Sequence, residues 1–170
     1  MRAEREGNSP AEQLLKALRE RGETLAVAES LTGGLVAAAL TDIPGASDVV
    51  RGGVVSYATD LKADLLAVDA DLLAAGGPVQ AEVAAQMAVG VARVCGATRG
   101  LATTGVAGPG PADGHPAGTV FVAAARGDGV VCVAQQVSGL TERAAAGADR
   151  ATVRHLAVRA VLELALDTLD

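Results

Sequence analysis

The chemistry-bearing residues of this chain fall in three stretches. In the first, an apolar run, Leu25–Ala28, ends on Glu29-Ser30, and Thr32-Gly33-Gly34 opens a second apolar run, Leu35–Leu40. The pattern reads as a buried strand turning sharply into a helix. A helix N-terminus presents unpaired backbone N–H groups and the positive end of the helix dipole, and glycine lets a ligand come close. Two hydroxyls and a carboxylate at that spot therefore border a natural anion pocket. The same residues also read as an N-cap at Ser30 or Thr32 followed by a tight turn. The spacings GxxxxGK and GxGxxG are absent here, so the stretch is neither a P-loop nor a dinucleotide fingerprint.

The second stretch runs from Tyr57, the only tyrosine, to Lys62, one of two lysines in the chain. Tyr57 near a strand end suits an ordinary amphipathic strand, stacking on a flat ring, or a hydrogen bond to a nucleophile. Lys62 falls in the first turn of a predicted helix, where a cation faces the wrong end of the dipole. That placement lowers a lysine pKa, and a neutral lysine beside a serine is a general base for acyl transfer. The alternative is a solvated surface lysine. The third stretch, Thr103-Thr104-Gly105 through Ala107, Gly108 and Gly110, is rich in glycine and hydroxyls. Its amides suit a phosphate or an oxyanion, or it is a plain connection. Arg150 and Arg154, four apart at the start of the last helix, suit bidentate phosphate recognition or a solvated helix face. Ser47 is a rival nucleophile, weaker because no strand end positions it.

The elements that must position these groups follow from the patterning. Ser9-Pro10-Ala11-Glu12 is a capping box ahead of the apolar stripe Leu14, Leu15, Leu18, and Gly22 ends that helix. Strands are expected at Thr24–Ala28, Gly53–Ala58, Leu101–Thr104, Gly118–Ala125 and Val130–Val137. Helices are expected at about Gly34–Thr41, Leu61–Leu66, Asp69–Ala75, Glu82–Val94 and Asp149–Leu169. Alternating strands and helices, then a late hairpin turning at Arg126–Gly129, predict an α/β fold: a mixed, mostly parallel sheet with helices on both faces. Ligands in such sheets bind beyond the carboxyl ends of the strands, where all three stretches fall. At 170 residues the chain reads as residues 1–8, a flexible leader, followed by a single domain, 9–170.

Composition narrows the function classes. Half the residues are hydrophobic but only one Tyr, one Phe and no Trp occur, so the core must be Ala, Val and Leu. The formal charge is −6 with no basic run, which argues against nucleic acid or an anionic membrane surface as partner. Cys95 and Cys132 lie in apolar stretches and read as buried free thiols in a reducing cytosol. With His115 and His155 they show no metal-ligand spacing, so neither metal nor other cofactor is expected. The N-terminus MRAEREGNS lacks an apolar signal region, and a cytoplasmic protein is expected.

Taken together, AESLTGG (28–34), TDIPGAS (41–47), GGVVSYATDLKADLLAV (52–68), TTGVAGPGP (103–111) and PAGTVFVA (116–123) resemble the C-terminal domain of the competence/damage-inducible protein CinA, which also occurs alone as nicotinamide-nucleotide amidase. The resemblance covers roughly residues 10–168. It implies a three-layer α/β/α sandwich, no metal, and hydrolysis of the carboxamide of nicotinamide mononucleotide to nicotinate mononucleotide and ammonia. The family's catalytic serine, tyrosine and lysine fall on Ser30, Tyr57 and Lys62; its threonine falls on Thr104 and its arginine on Arg150. Substrate contacts are then expected from Thr32, Gly33, Gly34, Thr104, Gly105, Ala107, Gly108 and Arg150, with the oxyanion held by amides near Gly33 and Gly105. Leu31 stands where the family more often has Cys, the loop Gly108–Gly114 is shorter than many, and Thr141–Gly147 is extra. The chain holds no counterpart of the N-terminal domain of full-length CinA, so a pyrophosphatase activity associated with that domain is not expected. The resemblance and the small-residue surface suggest a homodimer. Two rival readings remain: attack by an activated water with Ser30 only holding substrate, and a non-catalytic nucleotide- or phosphate-binding regulatory module.

Overall fold

A computed structural model describes residues 9–130 and 132–169; the leader expected at residues 1–8 lies outside them. Five strands, β1 (Leu25–Glu29), β2 (Val50–Val55), β3 (Arg99–Gly105), β4 (Val120–Arg126) and β5 (Cys132–Gln136), form one sheet in the order β2-β1-β3-β4-β5. β1 pairs in parallel with both β2 and β3, and β4 lies antiparallel between β3 and β5. Only β4 therefore runs against the others, the mixed, mostly parallel sheet with a late hairpin. After β1 the chain leaves to one side for β2, then returns to the other side for β3. That reversal opens a crevice beyond the carboxyl ends of β1, β2 and β3.

Helices cover both faces. α1 (Pro10–Arg21), α2 (Leu35–Thr41) and α7 (Arg150–Asp167) pack on one; α3 (Thr59–Leu66), α4 (Ala70–Gly76) and α5 (Ala81–Cys95) pack on the other. The strand period of two separates the two cores. Val27 and Leu101 face the first with Leu14, Leu18 and Val161. Ala26, Ala28 and Ala102 face the second with Met87 and Val91. Because the inward residues on that second face are small, α5 comes very close: a Cβ on Gly100 would lie 1.9 Å from the Ala88 carbonyl oxygen. No helix among the described residues is long and apolar enough to cross a membrane.

Three features depart from the sequence expectations. β2 starts at Val50, earlier than Gly53, and stops at Val55, leaving Ser56 and Tyr57 beyond the strand. Gly53 is needed there because a Cβ would meet Val27 at 2.8 Å across the β1–β2 pair, so glycine marks close approach and not a strand boundary. The extra stretch Thr141–Gly147 contains most of a further helix, α6 (Leu140–Ala145), which buries Leu140 and is too short to show a period. Cys132 is exposed and Cys95 half-buried, against the expectation of two buried thiols. β5 is an edge strand whose residues are mostly open to solvent. Val131, predicted to lie in this strand, is outside the described residues.

Candidate active site

Ser30 is the first residue after β1, and its amide donates to the Thr103 carbonyl at the neighbouring end of β3 (3.1 Å). The chain then turns, and this turn is tied from below, from inside and from the side. Below, the Glu29 side chain is 1 % exposed, and its carboxylate accepts the amides of Gly34 (3.0 Å), Val36 (3.0 Å) and Ala37 (2.8 Å). These are the orphan N–H groups at the start of α2, whose N-cap Gly34 has no side chain to bond them. Inside, the buried Thr32 hydroxyl shares a 2.7 Å hydrogen bond with that of Thr103. From the side, Arg154 donates from Nε to the Leu31 carbonyl (2.9 Å) and from its terminal nitrogen to the Thr32 carbonyl (3.0 Å).

Lys62 enters from the facing element. It lies on the first turn of α3, and helical side chains lean toward the N-terminus, here toward the end of β2. Its Nζ lies 3.2 Å from Ser30 Oγ and donates to the Ser56 carbonyl at 2.7 Å. The residue is 1 % exposed. Burial pulls its pKa from 10.5 to about 8, against an opposing pull from the Asp113 charge. Desolvation of the ammonium, not the helix dipole, is thus the principal cause. Ser56 contributes its carbonyl; its own buried hydroxyl has no partner among the described residues.

A cavity of about 350 Å³ opens over this pair, within the usual range for small-molecule sites, about 300–1,000 Å³. Thr104, Gly105, Ala107 and Gly108 from the end of β3 line it, together with Tyr57, Asp113 and Arg150. Arg150 crosses the mouth, donating to the Gly108 carbonyl (2.9 Å) and to the Tyr57 hydroxyl (3.0 Å). A model of the CinA C-terminal domain matches residues 7–169.

The chain belongs to the CinA C-terminal domain family. A CinA-like protein of Frankia casuarinae is 50% identical over 151 residues, covering 89% of this chain and 33% of the relative. One from Synechococcus sp. strain RCC307 is 52% identical over 123 residues, covering 72% of this chain and 30% of the relative. The chain thus spans about a third of the length of these CinA-like relatives. Among solved structures, the competence/damage-inducible protein of Agrobacterium tumefaciens superposes with a TM-score of 0.84 at 34% identity, over 94% of this chain and 93% of that one. A CinA-superfamily protein of Enterobacter cloacae gives 0.83 at 29% identity, over 100% and 99%.

Within this CinA domain the residues singled out from the sequence separate into two groups. Ser30, Lys62, Tyr57, Thr104, Gly105, Ala107, Gly108 and Arg150 share the cavity. Thr32, Gly33 and Gly34 do not line it. The anion pocket expected at the start of α2 is filled from within by Glu29, and the Gly33 amide donates to the Ser30 carbonyl (3.0 Å). Gly105 ends the β3–β4 pair, where a Cβ would lie 2.5 Å from the Thr119 carbonyl oxygen. Tyr57 is 59 % exposed at the mouth, and among the described residues no hydrogen bond joins it to Ser30 or Lys62. Several lining residues, Leu31 and Ala107 among them, have backbone amides with no protein acceptor among the described residues. Ser47 lies on a 3-10 turn, Ala46–Asp48, in a separate groove. A larger groove of about 600 Å³ across α5 and β5 contains none of the paired hydroxyl and amine.

Sequence reasoning missed Asp113, the capping role of Glu29 and the Ser56 carbonyl. An Asp-Gly pair between Ala112 and His115 is a hairpin signal, and a helix opening on glycine with no capping hydroxyl needs an acceptor from elsewhere. Nothing in the sequence marks the Ser56 carbonyl.

Proposed function

We propose that this chain hydrolyses the carboxamide of nicotinamide mononucleotide to nicotinate mononucleotide and ammonia. The observation that carries the reading is the 3.2 Å approach of the buried Lys62 Nζ to Ser30 Oγ on a cavity wall. Lys62 in its neutral form takes the hydroxyl proton as Ser30 Oγ bonds to the amide carbon. The Leu31 amide, next to Ser30, and the Ala107 amide, in the glycine loop, are the donors we assign to the oxyanion. Lys62 then gives its proton to the departing nitrogen, the C–N bond breaks, and ammonia leaves an ester on Ser30. A water, deprotonated by the same amine, cleaves the ester to the carboxylate and restores Ser30. Tyr57, exposed at the mouth, offers a face for the flat ring. Arg150 offers its remaining N–H groups to the phosphate, a role the α2 N-terminus cannot take because Glu29 occupies it.

The test is incubation with the mononucleotide while ammonia is followed. Turnover is expected from the parent protein, with a substrate-derived ester on Ser30 after acid quench. Ser30→Ala is expected to lose at least about a thousandfold in kcat with an unchanged melting profile. Parent-like turnover by Ser30→Ala refutes the nucleophile and favours direct attack by water. Binding of the mononucleotide without ammonia release favours a regulatory binding module instead.

A further inference from the structure

The cavity carries a second charge that the amidase reading leaves without a task. Ala112 and His115 exchange both backbone hydrogen bonds (3.0 and 2.9 Å), and Asp113 and Gly114 between them take φ of 52° and 77°. This is a two-residue hairpin tip with both central residues at positive φ. It sets Asp113 on the wall that also holds Ser30, Lys62 and Arg150. Among the described residues the Asp113 carboxylate has neither a hydrogen bond nor an ion pair, even though Arg150 lines the same cavity. Its charge nonetheless reaches Lys62 and favours the ammonium form, which opposes use of the amine as a base. An unpaired carboxylate beside a buried base is a poor arrangement unless a cation arrives with the ligand.

We propose that Asp113 is a specificity residue that selects a ligand carrying a positively charged ring, so that the cavity recognises a zwitterion with its cation toward Asp113 and its phosphate toward Arg150. The inference rests on the amidase reading, in which the substrate is an N-glycosylated pyridinium. It adds that ring charge, and not only the carboxamide and phosphate, is read. The arriving cation screens Asp113 from Lys62 and so favours the neutral amine at the step that needs it.

The test compares the oxidised mononucleotide with its reduced dihydro form, which keeps the phosphate and carboxamide but has a neutral ring. Affinities are measured by calorimetry in the Ser30→Ala protein, where neither ligand turns over. Asp113→Asn removes the charge and keeps the turn, since Asn-Gly suits a hairpin tip as well as Asp-Gly. It is expected to weaken the oxidised form about fivefold and to leave the reduced form within about twofold. Asp113→Glu, which keeps the charge, is expected to keep most of the preference. An equal loss for both forms, or no loss for either, overturns the inference while leaving the amidase reading standing. Failure of the Ser30→Ala protein to bind either form, with no ammonia from the parent, overturns the amidase reading and this inference with it.

Discussion

Lys62→Met provides the sharpest test, because one buried amine makes linked predictions for stability and for rate. The lysine pKa falls from 10.5 to about 8 on burial, and each pKa unit corresponds to about 1.4 kcal/mol. Between those two pH values the unfolded chain holds a proton on Lys62 that the folded chain has released, so stability rises with pH there. Below about pH 8 both states are protonated and the folded protein carries the full desolvation cost of about 3 kcal/mol; above about pH 10.5 that cost is gone. Methionine has nearly the same length and no charge, so the variant lacks this pH-dependent contribution. The difference in unfolding free energy, parent minus Lys62→Met, is therefore expected to rise by about 3 kcal/mol between pH 7 and 10.5, with somewhat over 1 kcal/mol of that reached by pH 9. Urea melts of both proteins across that range measure it, and subtraction removes the titration of every other group. The rate prediction uses the same group. At pH 7 roughly one lysine in ten is neutral and at pH 9 roughly nine in ten, so kcat/KM of the parent is expected to climb about tenfold and level off above pH 8. A stability difference that stays flat with pH, or a pH–rate limb near 10.5, would refute the claim that burial holds Lys62 ready as a base.

Two further variants test the frame around Ser30. Glu29→Ala leaves the amides of Gly34, Val36 and Ala37 without their acceptor, and the expected loss is about 2–4 kcal/mol of unfolding free energy in chemical denaturation; a loss under about 0.5 kcal/mol would show that water serves α2 as well as the carboxylate does. Arg154→Met keeps the aliphatic stem but removes both donors to the Leu31 and Thr32 carbonyls. Since it touches the turn and not the ligand, kcat should fall about tenfold while KM stays within about twofold, with partial recovery in Arg154→Lys; a KM effect alone would make it a ligand contact.

The general plan of this fold was legible because its signals are local. A short apolar run, a Ser-x-Thr-Gly-Gly turn and a second apolar run specify strand, turn and helix without reference to the rest of the chain. Lys62 stood out through its position in a first turn, although the decisive physics, burial under the crevice, depends on tertiary packing that no window of sequence displays. Spacing alone did not separate Arg150 from Arg154, for the same reason; only the resemblance singled out Arg150. Four residues apart on α7, they face different partners: one spans the cavity mouth and the other clamps the turn after Ser30. Gly53 misled because a glycine inside a strand resembles a boundary until the approach of Val27 is seen. Glu29 was noticed as a carboxylate near an anion pocket, and the structure shows that it is the anion in that pocket.

This last point constrains how a phosphate can be read by such a fold. In many α/β sheets the first strand–helix turn both binds phosphate and begins the helix, so one set of amides serves ligand and fold. Here a buried side-chain carboxylate of the fold itself accepts those amides, and the turn is further fixed by Thr32–Thr103 and by Arg154. The turn can then be rigid in the absence of any ligand, which is what a positioned nucleophile requires. On the proposed reading, phosphate recognition falls to Arg150 at the cavity mouth, because the amides of the helix that would ordinarily supply it are taken by Glu29. Separating the two tasks leaves the mouth free to carry a charge such as Asp113 without disturbing the geometry that holds Ser30 against Lys62.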